Sequence, residues 1–389
     1  MLKFRLRSFI VLLVSTCFLF CNVSPVKAAN IETSAESAIL IDAATGRILY
    51  EKESHKELAP ASVTKLMTML VAAEAVESGK GKLKDIVTAS ENACSLGGSQ
   101  IYLEPGEKFS LEEMLISIAV GSANDACVAV AEHLYGSHEE FVEAMNNKAK
   151  ELGLNNTHFV NAYGLPAKGH YTSAYDLAIL GREALKHPLI TKLTSIKEYD
   201  LRHGQFKLWN TNKLLWWYEG TDGFKTGWTQ EAKYCLASTV KRDGLRLICV
   251  VMGVPEARGH FSESMKIYNY GFAKYMYKEF APAGSKQGET VVYKGSKPIV
   301  ELVAKSPVGV CVEKGKDKNC WTEIKLSKQV NAPVTQGQKL GEIIIHCGQE
   351  ELGKIDLLAK ENVDKAGFLE IIKRTIQDSY GMSPSLYAQ

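Results

Sequence analysis

Ser62 and Lys65 stand three residues apart in the stretch Pro60-Ala61-Ser62-Val63-Thr64-Lys65-Leu66-Met67-Thr68. A serine hydroxyl is a weak nucleophile until a neighbouring base takes its proton, and a neutral lysine amine is such a base. Val63, Leu66, Met67, Leu70 and Val71 recur at helical spacing behind Pro60, which predicts a helix with Ser62 and Lys65 in its first turn, on one face. Local electrostatics asks for something else here: a capping serine is usually followed three residues later by Glu or Gln, because the helix start is positive. That positive end, burial or a second cation would each lower the pKa of Lys65 and leave it neutral near pH 7. Taken alone, a serine ahead of a helix is most often a cap, and the SxxK spacing is common by chance.

Two further stretches carry polar groups at points where chemistry could be done. Ser122-Ala123-Asn124 falls between two helical patterns; it offers a hydroxyl relay and an amide for a substrate carbonyl, or simply a cap for the second helix with Asp125 three residues on. Lys225-Thr226-Gly227 lies in the strand-like run Asp222-Gly223-Phe224-Lys225-Thr226-Gly227-Trp228-Thr229. A glycine inside a strand often marks a close approach to the backbone, and a cation and a hydroxyl precede this one. Such an edge can hold a carboxylate and lay a peptide alongside as an added strand; the plainer alternative is a solvated strand with a bulge.

The elements that must position these groups read as an α+β domain. Two β-like runs in AILIDAATGRILYEK, from Ala38, meet at the turn Ala44-Thr45-Gly46. Helices follow from Ser62 to near Gly79, from a capping box at Ser110-Leu111-Glu112-Glu113 to Gly121, and from Asn124 to Gly136. Two more are expected at Phe141–Leu152 and Ala174–Lys186. Strands return at Gly223–Thr229, Tyr234–Lys241 and Leu245–Val254, and a helix over Phe261–Lys278 closes the unit. With the first pair docked beside the last three, the strands make one five-stranded antiparallel sheet covered by helices.

After Ala281-Pro282-Ala283-Gly284 the character changes. Short alternating runs with glycine turns between Thr290 and Ala359 predict a small β-rich domain, and Phe368, Ile371, Ile372 and Ile376 share one face of an amphipathic helix over 365–380. That helix suits either packing on the β domain or lying on a membrane surface. At the other end, Lys3, Arg5 and Arg7 precede an apolar stretch from Phe9 to Cys21 and the small-residue site Val26-Lys27-Ala28, a secretory signal peptide. The expected division is therefore a signal peptide at 1–28, a catalytic domain at 29–283, a β-rich domain at 284–361 and an amphipathic tail at 362–389, a candidate membrane anchor.

Composition narrows the function classes. The 389 residues carry a net charge of only +2, so no basic field argues for nucleic acid. No HExxH, CxxC pair, P-loop or GxGxxG appears at working spacing, which argues against metal or nucleotide cofactors. Removal of the leader leaves Cys94, Cys127, Cys235, Cys249, Cys311, Cys320 and Cys347, an odd number in an exported chain, so all of them cannot pair with one another. The first four read as small core residues; Cys311 and Cys320, flanking a polar turn, are the expected pair.

Together and in this order, SxxK, SxN and KTG form the set found in penicillin-binding proteins and class A β-lactamases. The chain resembles the serine D-Ala-D-Ala carboxypeptidases, the low-molecular-mass penicillin-binding proteins of bacterial wall metabolism. Gly97-Gly98-Ser99-Gln100-Ile101-Tyr102-Leu103, Asn161-Ala162-Tyr163-Gly164-Leu165 and His170-Tyr171-Thr172-Ser173-Ala174-Tyr175-Asp176 extend the likeness between the motifs. The resemblance implies a β-lactamase-like catalytic domain without cofactor or metal. It implies that Ser62 is acylated while Lys65 takes its proton, that Ser122 relays a proton to the leaving D-alanine, and that Asn124 holds the substrate amide. Lys225 and Thr226 would bind the terminal carboxylate, Lys225 would help keep Lys65 neutral, and Gly227 completes that motif. The N–H groups of Ser62 and Trp228 would form the oxyanion hole. The implied partners are peptidoglycan stem peptides ending in D-Ala-D-Ala and β-lactams as inhibitors, at the outer face of the cell membrane or in the wall. Ala123 departs from the Asp of many class A lactamases at a position that varies in carboxypeptidases, and no ExxLN-like stretch supplies a deacylating Glu, so penicillin should leave slowly. A D,D-endopeptidase or β-lactamase on the same fold, or a non-catalytic wall-binding protein, are the alternatives.

Overall fold

The computed structural model of the chain describes residues 31–370 and 372. The expected signal peptide and most of the expected C-terminal helix lie outside the described residues. Strands β1 (Ser37–Asp42) and β2 (Ile48–Lys52) form the expected hairpin, tied by the Asp42 carboxylate, which accepts from the Thr45 N–H at 3.0 Å and its hydroxyl at 2.6 Å. A single 3₁₀ turn, Ala61–Thr64, then leads into α1 (Lys65–Glu77). Although the apolar spacing pointed to one inward face, α1 is buried on nearly every side, from Lys65 through Ala73 and again at Ala75. A helix that is apolar all round belongs in the centre of a core, and here the sheet and other helices enclose it.

Helix α2 (Leu111–Ile116) starts at the predicted capping box, with Ser110 accepting from the Glu113 N–H and the Glu113 carboxylate reaching back. It runs into one π-helical turn, Ser117–Gly121, before α3 (Asn124–Tyr135), which stops at Gly136 with φ +86°. Next come α4 (His138–Glu151) and α5 (Ala174–Ala184), then β3 (Thr221–Thr229), β4 (Lys233–Arg242) and β5 (Leu245–Val254). The sheet is five-stranded and antiparallel in the order β2-β1-β5-β4-β3, so the first hairpin does dock beside the last three strands. Helix α5 packs on the face that presents Phe224 and Ile248, close to Gly181. On the other face α6 (Gly259–Lys274) brings Gly271 against Leu40 and Leu247. Adjacent residues Leu247 and Ile248 thus serve opposite layers, as the two-residue period of a strand requires.

The closing helix was expected to reach Lys278, but it ends at Lys274. Residues Tyr275–Ala281 form β6, drawn out by pairing with a later strand, a case of tertiary context overriding local period. The strands that follow it are β7 (Lys286–Tyr293), β8 (Ile299–Ala304), β9 (Val308–Glu313), β10 (Cys320–Leu326), β11 (Gln329–Asn331), β12 (Lys339–Cys347) and β13 (Glu350–Ala359). They make a six-stranded sheet in the order β10-β12-β13-β8-β7-β11 and a separate β6–β9 ribbon. Val300, Leu302, Val310, Ile343, Ile345 and Leu357 fill the core between them. Val363 is fully buried in this core and Lys365 bridges Gly295, so the backbone there is extended and helix begins only at Phe368. No helix among the described residues is long and apolar enough to cross a membrane.

The expected Cys311–Cys320 pair does not form. Their strands are not a hairpin: β9 pairs with β6, which places buried Cys311 opposite Tyr277, while β10 crosses to the other sheet and sets Cys320 opposite Cys347.

Candidate active site

Ser62 does not cap a helix. It sits within the 3₁₀ turn, which begins after Pro60 without any side-chain cap, and Ala61 takes φ +51° to open it. Two loops hold this turn in place. Gly164, at φ +87°, lies so close that a Cβ there would be 1.8 Å from the Ala61 carbonyl oxygen. Its own loop is folded by Asn161, whose Oδ1 accepts from the N–H groups of Gly164 at 2.6 Å and Tyr163 at 3.2 Å. His170 Nδ1 accepts the Val160 N–H at 2.9 Å, so Nε2 carries the hydrogen and donates to Thr64 Oγ1 at 2.8 Å. Burial holds the His170 pKa down at about 4, which keeps the ring neutral in this role.

Lys65, the first residue of α1, is fully buried. Its Nζ donates to Ser62 Oγ at 3.1 Å, Asn124 Oδ1 at 2.7 Å and the Tyr163 carbonyl at 2.6 Å. Burial lowers its pKa to about 8, with the Asp125 carboxylate pulling the other way. Of the three causes the sequence offered, a helix start, burial and a second cation, enclosure within the core is the largest. At pH 7 roughly a tenth of such an amine is neutral. Asn124 Oδ1 and the Tyr163 carbonyl are acceptors only, so the neutral amine must give them its two hydrogens. Its lone pair is then left facing Ser62 Oγ, the longest of the three contacts.

Ser122 follows the π-helical turn in the left-handed conformation, φ +60°, and is nearly buried. It does not cap α3, whose start at Ala123 has no side-chain cap. Nor does Asp125 serve a cap. Its carboxylate accepts the N–H groups of Ile101 and Leu103 at 3.1 Å. Arg202 grips the same segment from the other side through the carbonyls of Ile101 and Tyr102 and through Glu107. Asn124 spans both, donating Nδ2 to the Gly97 carbonyl at 2.7 Å while Oδ1 holds Lys65.

The third motif lies on β3 at the sheet edge, beside the Ser62 turn. A Cβ on Gly227 would stand 2.8 Å from the Pro60 carbonyl oxygen and 3.0 Å from the Val63 nitrogen, so only glycine lets strand and turn meet. Lys225 is buried, with Nζ donating to the Thr226 carbonyl at 3.0 Å, and Thr226 Oγ1 donates to Thr211 Oγ1 at 2.7 Å. Burial, then repulsion from Lys65, lowers the Lys225 pKa well below the ordinary lysine value. Trp228 next to it is exposed.

All three motifs therefore converge around Lys65. Sequence reasoning missed four contributors: the Tyr163 carbonyl, Thr211, the Asp125 carboxylate and Arg202. Tyr163 lay in a stretch already singled out, but a backbone carbonyl leaves no mark in side-chain pattern. Asp125 was noticed as a cap, and only the tertiary fold reveals what it binds.

Residues 23–256 match the family described as D-alanyl-D-alanine carboxypeptidase, and residues 275–365 match the C-terminal domain of penicillin-binding protein 5. The chain is 44% identical over 356 residues to the D-alanyl-D-alanine carboxypeptidase DacF of Bacillus subtilis, covering 90% of this chain and 92% of the relative. With DacA of Escherichia coli it shares 31% over 380 residues, 94% of each chain. Among solved structures, penicillin-binding protein 5 from Haemophilus influenzae aligns with a TM-score of 0.71 at 32% identity, covering 86% of this chain and 99% of that one. Penicillin-binding protein D2 of Listeria monocytogenes, in its ampicillin-bound form, aligns at 0.58 and 32% identity over 62% of this chain and 99% of that one.

Proposed function

Because the chain belongs to the D-alanyl-D-alanine carboxypeptidase family, we propose that it removes the terminal D-alanine from peptidoglycan stem peptides through an ester on Ser62. The observation that carries the assignment is the fully buried Lys65 amine 3.1 Å from Ser62 Oγ, with its other two hydrogens claimed by acceptors.

The substrate would lie along the edge of β3 with its terminal carboxylate at Lys225 and Thr226. An anion there favours the charged form of Lys225, and a cation at Lys225 disfavours one at Lys65. Substrate binding thus moves the shared positive charge off the base at the moment a base is needed. Neutral Lys65 takes the Ser62 proton as Oγ attacks the penultimate D-alanine carbonyl. The N–H groups of Ser62 and Trp228 hold the oxyanion, each such donor being worth about 2.7–4 kcal/mol. Ser122 passes the proton from Lys65 to the departing amine, Asn124 orients the substrate amide, and water then cleaves the ester. β-Lactams present a carboxylate and a strained amide in the same relation and would acylate Ser62 as inhibitors. The site would act outside the cytoplasm, after export by the N-terminal leader, with the C-terminal helix resting on the membrane surface.

Incubation with a labelled penicillin and with a pentapeptide ending in D-Ala-D-Ala tests this reading. Free D-alanine and a persistent adduct mapped to Ser62 are expected, and Ser62→Ala should abolish both. Fast penicillin turnover would instead indicate a lactamase, and absence of both signals would remove the catalytic assignment.

A further inference from the structure

Cys320 and Cys347 open β10 and close β12, and the register of these strands sets them directly opposite one another. That register is fixed independently of the cysteines. Trp321 stacks on His346 in the next pair, with ring centroids 4.3 Å apart, and Ile324 faces Ile343 further along. Just beyond the cysteines the Gly348 N–H donates to the Asn319 carbonyl at 3.0 Å. In an antiparallel ladder this makes Asn319 and Gly348 the hydrogen-bonded pair, so Cys320 and Cys347 form a non-hydrogen-bonded pair. Such pairs bring their Cα atoms to about 4.5 Å and their side chains closest together. That separation lies within the range a disulfide spans. Both thiols turn to the same side, in mutual contact, and each reaches the Lys316 carbonyl of the preceding turn, at 3.6 and 3.5 Å.

We propose that Cys320 and Cys347 form a cross-strand disulfide that staples the edge of the β-rich domain. Strand β10 ends the sheet and is paired on one side only, with most of its residues half-buried or exposed. An edge of this kind frays or recruits foreign strands unless something holds it. Among the described residues the other cysteines offer no competing partner for either thiol: Cys311 is buried on the other ribbon, Cys127, Cys235 and Cys249 are buried in the catalytic domain, and Cys94 ends a short helix packed on the catalytic-domain core. In the reaction each thiol gives up its proton and the two sulfurs join. The two electrons and two protons pass to an acceptor disulfide, such as oxidised glutathione, which leaves as two thiols.

The test is mass mapping of the full chain after incubation with oxidised glutathione, digested without reductant. A linked pair of peptides carrying Cys320 and Cys347, separated by reductant, is expected. Reduction should also lower the unfolding midpoint of the β-rich domain by on the order of 10 °C. Cys320→Ser should leave Cys347 open to alkylation and remove that reductant-dependent shift. The proposal is overturned if both thiols remain alkylatable after oxidation, if Cys320 links to another cysteine, or if the pair co-purifies as a zinc thiolate.

Discussion

Asn124 Oδ1 lies 2.7 Å from Lys65 Nζ, so the amide of the second motif and the amine of the first form one hydrogen-bonded unit inside the core. The contact orients the amine proposed as the base: an acceptor that cannot donate takes one of the hydrogens of Lys65.

Asn124→Asp keeps the shape of this contact but places a carboxylate against Lys65. A partner of opposite charge within about 4 Å raises a lysine pKa by roughly 1–3 units. Acylation by penicillin at pH 7 should fall by about 10- to 1,000-fold and recover as pH rises, so the profile moves to the alkaline side. An unshifted profile would show that Asn124 does not govern the protonation of Lys65.

In the wild type the pH profile should report Lys65 itself. The base works when neutral, and its pKa is lowered to about 8, so acylation should climb about tenfold per pH unit below 8 and level off above it. Lys65→Arg keeps the charge but cannot lose it near neutral pH, and should cost about 10²–10⁴ in rate at every pH tested. Stopped-flow acylation across pH 6–10 distinguishes these outcomes.

Gly227→Ala inserts a methyl group where the Pro60 carbonyl oxygen is 2.8 Å away. The strand and the Ser62 turn must part, which should cost acylation roughly 10- to 100-fold and stability about 1–3 kcal/mol. Thermal melting alongside penicillin labelling will separate loss of the site from loss of the fold; unimpaired labelling would mean the contact is slack.

His170 links the Ser62 turn, through Thr64, to Val160 and is neutral because burial holds its pKa at about 4. Its folded pKa lies below the unfolded value near 6.5, so its contribution to stability is present above 6.5 and is lost as pH falls toward 4. Between pH 7 and pH 5 this amounts to about 2 kcal/mol. His170→Ala should cost about 1–3 kcal/mol at pH 7 through the orphaned Val160 N–H, and flatten the acid slope by about 2 kcal/mol. Urea denaturation at the two pH values measures both; a variant with an unchanged slope would rule out His170 as its source.

Sequence alone pointed to the chemistry: three short motifs in a set order, SxxK, SxN and KTG, supply a candidate nucleophile, base and carboxylate-binding strand, roles that each motif by itself leaves open and that the likeness of the whole set to a known family implies. Strand and helix periods also yielded the five strands of the sheet, while the order β2-β1-β5-β4-β3 in which they dock came from the tertiary fold. The tertiary structure decided what those side chains experience. Lys65 could have had its pKa lowered by a helix end, burial or a second cation, and full enclosure in the core is the largest cause. Its most telling partner, the Tyr163 carbonyl, is a backbone atom 98 residues away that no side-chain pattern announces. The cysteines show the same divide. Cys311 and Cys320 are neighbours along the chain, but β9 and β10 enter different sheets, and Cys320 meets Cys347 instead. Local spacing records what a segment can do, whereas burial and partner choice depend on contacts between segments far apart in the chain.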